Sequence, residues 1–182
     1  MGMALHVPLY TVDDLENFPD DGNRYELLNG VLSVTPAPGS PHQGVSMLLS
    51  LMLGNALMTP GFANVYAPGV MIRPPDTSIE PDILVVPSRF AIGAPWVEMT
   101  EHWIAVEVFS RSSRKRDREV KRDEYFRLGV CEVWLVDPRK KCVEVSRQPG
   151  KFEVVRDVLT LNIPEVPITV TINLNDVFAG LP

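Results

Sequence analysis

Two carboxylates interrupt runs of apolar residues and are the side chains best placed to do chemistry. Glu107 lies in the middle of WIAVEVF (103–109), and Asp82 opens DILVVP (82–87). A buried, ionised carboxylate is costly unless it is paired with a cation or bound to a metal. Because side chains alternate along a strand, Glu107 can face a cleft while its immediate neighbours fill the core.

Acids on two adjacent strands can converge on a single divalent cation. Mg²⁺ prefers a few carboxylates, completed by waters and substrate phosphate oxygens. Such an ion, or Mn²⁺ in its place, can activate water and stabilise the charge that develops at phosphorus during phosphodiester cleavage. A nearby lysine can orient the water or offset the same charge. We therefore expect Asp82 and Glu107 to be metal ligands.

Other readings of these acids remain open. Asp82 can be an ordinary acid at the start of a strand, and Glu107 can be the partner of an arginine in a buried ion pair. Glu80 is a weaker metal candidate and is better explained as a loop acid.

The first half of the chain predicts a helix, a hairpin and a second helix. Thr11 is a plausible N-cap of a short acidic helix. Asn29-Gly30 between two apolar runs indicates a hairpin over 24–35, with Glu26 on its first strand. Apolar spacings of three and four predict an amphipathic helix over 42–58.

The second half predicts strands with one helix inserted among them. We expect a strand over 64–73, a turn over 76–78 and buried strands at 82–87, 103–109 and 130–136. A charged helix over 114–128 ends at Gly129, and a hairpin surrounds Pro149-Gly150. The order of elements predicts an α/β fold with a mixed sheet flanked by helices.

Composition sets limits on the class of protein. The chain of 182 residues has 45% hydrophobic and 22% charged residues, which predicts one globular domain over 1–182. The net charge of −6 argues against a broad nucleic-acid-binding face. Eight of the 17 Lys and Arg residues nevertheless lie between Arg111 and Arg127, so an acidic body could still meet a phosphate backbone there.

Cysteine usage and hydropathy exclude further classes. Cys131 and Cys142 form no zinc-type motif, and their strand-like surroundings predict buried free thiols. The N-terminus has no evident signal peptide, and no apolar run approaches the ~20 residues that span a bilayer. We expect a soluble cytoplasmic protein that does not enter the membrane.

Four ordered segments carry a resemblance to a known family. They are RYELLNGVL (24–32), PDILVVP (81–87), AVEVFS (105–110) and KRDEYFRLGVCEVWLVDP (121–138). The sequence from about Tyr10 onwards resembles the PD-(D/E)XK nuclease superfamily, and in particular its large bacterial family of restriction-endonuclease-like proteins. The resemblance implies a restriction-endonuclease-like α/β core.

The resemblance also implies roles for individual residues. Asp82 matches the motif aspartate and Glu107 the following acid. The lysine expected two residues later is Phe109 here, and Lys121, from the following helix, is the residue that matches in this family. Glu26 matches an early glutamate that often adds a contact to the metal site.

Several neighbours of these residues keep two interpretations. Asp117 and Tyr125 lie four residues before and after Lys121, so they can support it or be ordinary surface and core residues. His42 can stand near the cleft at the start of the long helix, although we do not expect it to bind metal. Ser110 can contact a phosphate or cap the charged helix.

The resulting hypothesis is a Mg²⁺-dependent or Mn²⁺-dependent endonuclease that hydrolyses DNA phosphodiester bonds. Its site residues are Asp82, Glu107, Lys121 and Glu26, and a homodimer is expected because cutting both strands commonly takes two sites. The alternative is a catalytically silent relative that binds DNA or a protein partner, or that serves as a dimerisation module. The acidic pI of about 5.1 favours this alternative slightly.

Overall fold

A mixed β-sheet of six strands lies at the centre of the molecule. A computed structural model describes residues 9–110 and 121–181. From edge to edge the strands are β10 (Lys151–Val155), β9 (Cys142–Gln148), β8 (Val130–Asp137), β7 (His102–Val108), β6 (Ile83–Pro87) and β3 (Ala63–Tyr66). Neighbours run antiparallel except β7 and β8, which are parallel. The carboxyl ends of β7 and β8 therefore lie side by side, at the same end of the sheet.

A smaller antiparallel sheet carries the early hairpin. Its strands, in spatial order, are β2 (Val31–Thr35), β1 (Arg24–Leu28), β5 (Thr77–Ile79) and β4 (Met71–Arg73). Asn29 and Gly30 have φ of 49° and 78°, as a two-residue hairpin turn requires. The predicted hairpin is confirmed. A further antiparallel pair consists of β11 (Val158–Leu161) and β12 (Val170–Asn173).

Helices lie against these sheets. The helix α1 (Ser40–Leu53) continues into a wider turn over Gly54–Met58, α2 (Arg122–Arg127) precedes β8, and α3 (Leu174–Val177) follows β12. Short 3₁₀ turns span Asp13–Asn17 and Trp96–Glu98. The predicted mixed sheet flanked by helices is confirmed. Across the described ranges, no helix has the length and apolar character needed to cross a membrane.

The core has two parts that follow the alternation of side chains along β7. One part packs α1 through Val45, Leu49 and Leu53, and includes Ile104, Val106 and Val108. The other part contains Ala105 and Phe109, together with Tyr125 of α2. Glu107 has the parity of Ala105 and Phe109, so strand alternation directs it towards α2.

Three expectations about local structure need correction or fall outside the described chain. The single strand over 64–73 is wrong, because Pro68-Gly69 interrupts it, and β3 and β4 belong to different sheets. The turn predicted over 76–78 lies over 74–76 instead, since Thr77 and Ser78 begin β5. Of the charged helix over 114–128, residues 114–120 lie outside the described residues, and the described part is helical from Arg122 to Arg127.

The prediction of two buried cysteines is half right. Cys142 is buried, but Cys131 is exposed. The pairing of β8 with β9 begins only at Val133, so β9 does not cover the start of β8, where Cys131 lies.

Gly69 is the point where the connection between β3 and β4 meets the central sheet. A Cβ atom at this position would lie 2.3 Å from the Cβ of Leu84, which is fully buried in β6. We expect Gly69→Ala to lower the free energy of unfolding by roughly 1–3 kcal/mol, because the well-packed core has to shift. Urea titration followed by circular dichroism measures this loss.

Gly44→Ala is the matched control for that substitution. Gly44 lies on the exposed side of α1, and a Cβ there would meet nothing within 4 Å. Alanine in a helix should raise the free energy of unfolding by about 0.5–1 kcal/mol. Equal effects of the two substitutions would contradict the close contact between Gly69 and Leu84.

His102 makes the stability depend on pH. Its imidazole is buried at the start of β7, and burial lowers the pKa of His102 below its usual value of 6.5. Below that pH the unfolded chain binds a proton that the folded chain does not, so stability falls as pH falls. We expect a loss of up to about 1.4 kcal/mol per pH unit, continuing until the folded-state pKa is reached.

Urea titrations between pH 7.5 and 5 on the unchanged protein and on His102→Gln test this expectation. Glutamine stays neutral throughout, so the variant should show a shallower fall in the free energy of unfolding. Two parallel curves would rule out His102 as the source of the pH dependence.

Candidate active site

A buried lysine connects the two sheets and α2. Lys121, immediately before α2, donates from Nζ to Oε1 of Glu26 on β1 and to Oε1 of Glu107 on β7, each at 2.8 Å. These three side chains are only 3%, 1% and 3% exposed. An ammonium so deeply buried requires anionic partners close by, and here two carboxylates share it.

Further hydrogen bonds hold both carboxylates. The hydroxyl of Tyr125, four residues after Lys121 on the same side of α2, donates to Oε1 of Glu107. The backbone N–H of Glu80 donates to Oε1 of Glu26 at 2.9 Å. Of the two interpretations of Tyr125, support of the site is the one that this hydrogen bond favours.

Asp82 enters the same region from the residue before β6. Its Oδ2 accepts a 2.8 Å hydrogen bond from the backbone N–H of Val108 and lies 2.9 Å from Nε2 of His42. Its Oδ1 accepts from Arg24 at 3.1 Å. Since Ile83 is opposite Val106, Asp82 is one residue along from that pair, beside Glu107 on the neighbouring strand.

Local charges determine the protonation of Asp82. Burial raises the pKa of Asp82, but hydrogen bonds from His42 and Val108 and the positive charge of Arg24 outweigh it, and the net pKa lies below 3.8. Burial also lowers the pKa of Arg24, and the surrounding carboxylates more than compensate. Asp82 is therefore an anion and Arg24 a cation at neutral pH.

Glu80 differs from Asp82. Burial raises the pKa of Glu80, and the nearby guanidinium of Arg24 offsets this only in part. Glu80 makes a long ion pair of 3.6 Å with Arg24, in keeping with its expected role as a loop acid.

All four residues predicted to form the site line one cavity. The cavity has a volume of about 640 Å³, and its wall includes Glu26, Asp82, Glu107 and Lys121. Ser110 lines it as well. A second cavity of about 870 Å³ shares part of its wall with the first, and the shared residues include Arg24, His42 and Asp82.

The donor set fits a hard cation that completes its shell with water and phosphate oxygens better than a preformed metal cage. Within residues 9–110 and 121–181, no three His, Cys, Asp or Glu side chains are grouped to hold a metal ion. Mg²⁺ commonly binds through one or two carboxylates, with waters and phosphate oxygens completing its shell. Asp82 and Glu107, on neighbouring strands of one cavity, match that requirement.

Sequence reasoning missed the roles of Arg24 and the contact of His42. Arg24 lies two residues before Glu26 on β1, and period-two alternation puts both on the same face, which was a usable signal. The bond between His42 and Asp82 spans 40 residues and has no local signature.

The basic segment 111–127 is only partly described. Residues 111–120, which include Asp117, lie outside the described residues. Arg122 pairs with Glu144 at 2.6 Å, and Arg127 pairs with Glu124 at 2.9 Å. Arg122 therefore ties α2 to β9, whereas Arg127 pairs within α2 and its side chain stays 69% exposed.

Comparisons with known proteins agree with this architecture. A family model named Uma2, described as "Putative restriction endonuclease", matches residues 12–175. The fold is similar to a crystal structure from Anabaena variabilis described as a putative nuclease, with a TM-score of 0.73 and 19% identity over 93% of this chain and 97% of that one. None of the curated proteins matches the chain. The chain therefore belongs to the Uma2 family, and it has the restriction-endonuclease-like α/β fold.

Proposed function

We propose that this protein is a Mg²⁺-dependent or Mn²⁺-dependent endonuclease that hydrolyses DNA phosphodiester bonds in the cavity of about 640 Å³. The observation that carries the proposal is the buried Lys121, bound by Glu26 and Glu107 beside the ionised Asp82. Family membership and the description of the structural relative as a nuclease support the same class of reaction.

Asp82 and Glu107 would hold the divalent cation. When bound, such a cation lowers the pKa of water and neutralises charge on the phosphate. Arg24, His42 and the backbone of Val108 fix the carboxylate of Asp82 from three directions. The hydroxyl of Tyr125 holds the carboxylate of Glu107 by a hydrogen bond. Both proposed ligands are therefore oriented before substrate arrives.

Lys121 supplies the fixed positive charge of the site. Hydrolysis adds water across a P–O bond and increases negative charge on the phosphate oxygens in the transition state. An ammonium that is already held in place by Glu26 and Glu107 stabilises this charge without reorganising. In this proposal Glu26 is a positioning residue, because it acts by holding the ammonium of Lys121.

A cytoplasmic homodimer belongs to the same proposal, since two sites are commonly needed to cut both strands of a duplex. A catalytically silent DNA-binding or protein-binding module is the second candidate. The net charge of −6 of the chain favours it, because an acidic molecule repels a polyanion unless cations offset that charge. Metal binding and cleavage distinguish the two candidates.

We expect Asp82→Asn to abolish the heat of Mg²⁺ binding and to lower the cleavage rate by about 10²-fold or more, because a charged ligand is lost. Titration calorimetry with Mg²⁺ or Mn²⁺ and nicking of supercoiled plasmid measure the two effects. Asp176→Asn is the control, since Asp176 is exposed on α3 and does not line the cavity.

Thermal melting must show that Asp82→Asn is folded before the result is used. No binding heat and no cleavage by the unchanged protein would refute the nuclease proposal. Binding of DNA without any cleavage would favour the silent module.

Lys121→Met should reduce both stability and cleavage. Removing the ammonium of Lys121 leaves Glu26 and Glu107 buried without their shared cation. This should lower the free energy of unfolding by about 3–5 kcal/mol. Adding Glu26→Gln removes one of the two charges and should restore part of that stability. Urea titration of the single and double variants measures the recovery.

Cleavage should remain lost in the double variant, because the ammonium itself is needed. A stable double variant that cleaves plasmid normally would show that Lys121 has a structural role only.

A further inference from the structure

The turn between β8 and β9 lies at the rim of the cavity. Because β7 and β8 are parallel, this turn follows the carboxyl end of β8, next to the end of β7 where Glu107 and Ser110 lie. Pro138 and Arg139 of the turn line the same cavity as those two residues. A substrate strand leaving the cavity on this side would pass the turn.

Hydrogen bonds between side chains and the backbone hold the turn in a defined shape. The buried Asp137 accepts from the backbone N–H groups of Arg139 at 3.1 Å and Lys140 at 3.2 Å. Arg156 donates to the carbonyl of Lys140 at 3.0 Å, which brings a further guanidinium to the turn. Three exposed cations, Arg139, Lys140 and Arg156, are thus gathered on a rigid support.

Pairing with acids divides the cations of the described ranges into two groups. One group forms ion pairs with Asp or Glu: Arg24, Arg73, Arg89, Lys121, Arg122, Arg127 and Arg147. The other group forms no ion pair with a described acid: Arg139, Lys140, Lys141, Lys151 and Arg156. Within residues 9–110 and 121–181, unpaired positive charge is therefore concentrated at this turn.

We propose that Arg139, Lys140 and Arg156 bind the backbone phosphates of duplex DNA flanking the bond that is cut. This inference rests on the proposed function, and it identifies the surface along which the substrate lies. The three cations are exposed and have no described acid partner, so phosphates can bind them without breaking an existing ion pair. Phosphate contacts of this kind set register and orientation and carry no sequence information.

The proposed surface also offsets the electrostatic repulsion between an acidic protein and DNA. The chain carries a net charge of −6, so the molecule as a whole repels a polyanion. A local cluster of cations at the cavity rim provides attraction where the substrate must approach. Each phosphate neutralised releases condensed counterions, which makes binding depend on salt concentration.

The test is duplex binding by the double variant Arg139→Gln, Lys140→Gln. A fluorescein-labelled DNA duplex is titrated with protein at several NaCl concentrations, with Ca²⁺ replacing Mg²⁺ to prevent cleavage, and anisotropy is recorded. We expect affinity to fall roughly tenfold near ~0.1 M salt, and the slope of log K against log salt to become shallower by about 2.

Lys151→Gln is the matched control. Lys151 is likewise exposed and without a described acid partner, but it lies just after the turn at the opposite end of β9. The seven residues of β9 separate the two turns by about 20 Å. We expect this variant to keep the affinity and salt slope of the unchanged protein.

Three outcomes would overturn the inference: unchanged affinity in the double variant, an equal loss in Lys151→Gln, or no duplex binding by the unchanged protein. Plasmid cleavage is measured separately, in Mg²⁺, with the same protein preparations, so the two proposals can fail separately. Loss of duplex binding in the double variant, with no plasmid cleavage by either protein, retains the DNA-binding surface and refutes the nuclease. Plasmid cleavage and normal duplex binding by the double variant would retain the nuclease and refute the DNA-binding surface.

Discussion

The ammonium of Lys121 is the interaction on which the rest of the site depends. It lies 2.8 Å from carboxylates on two different sheets, and without it Glu26 and Glu107 would be neighbouring anions in a buried space. Removing one partner from such a cluster is far more damaging than removing a surface charge. The position of α2 and the approach of β1 to β7 are therefore coupled through one side chain.

Independent contacts around α2 reinforce that arrangement. Glu124 receives Arg73 of β4 at 3.1 Å, which ties the helix to the small sheet. Arg122 donates to Glu144 of β9 and stacks on the ring of Phe152, 4.6 Å from its centroid, which ties the helix to the large sheet. Lys121 and Tyr125 thus approach Glu107 from a helix that is held on both sides, as a preorganised site requires.

Asp82 belongs to a second network that meets the first at β7. The N–H of Val108, next to Glu107, donates to Asp82, while Arg24, two residues before Glu26, donates to its other oxygen. The two strands that carry the acids of the lysine network therefore also orient Asp82. Its lowered pKa follows from this environment and keeps an anion available to a cation or to the surrounding donors.

The sequence alone determined the α/β class, the Asn29-Gly30 hairpin and the position of Glu107 on its strand, because these depend on local turn geometry and on period-two alternation. It also singled out Asp82 and Glu107, since a carboxylate in an apolar strand is costly. Lys121 could be selected only through the family resemblance, because one lysine in a charged segment resembles another. Tertiary structure alone decided that Lys121 binds Glu26 and Glu107, that His42 reaches Asp82 across 40 residues, and that the turn at Arg139 lies at the cavity rim. These contacts join residues distant in sequence, and only the packing of two sheets and a helix brings such residues together.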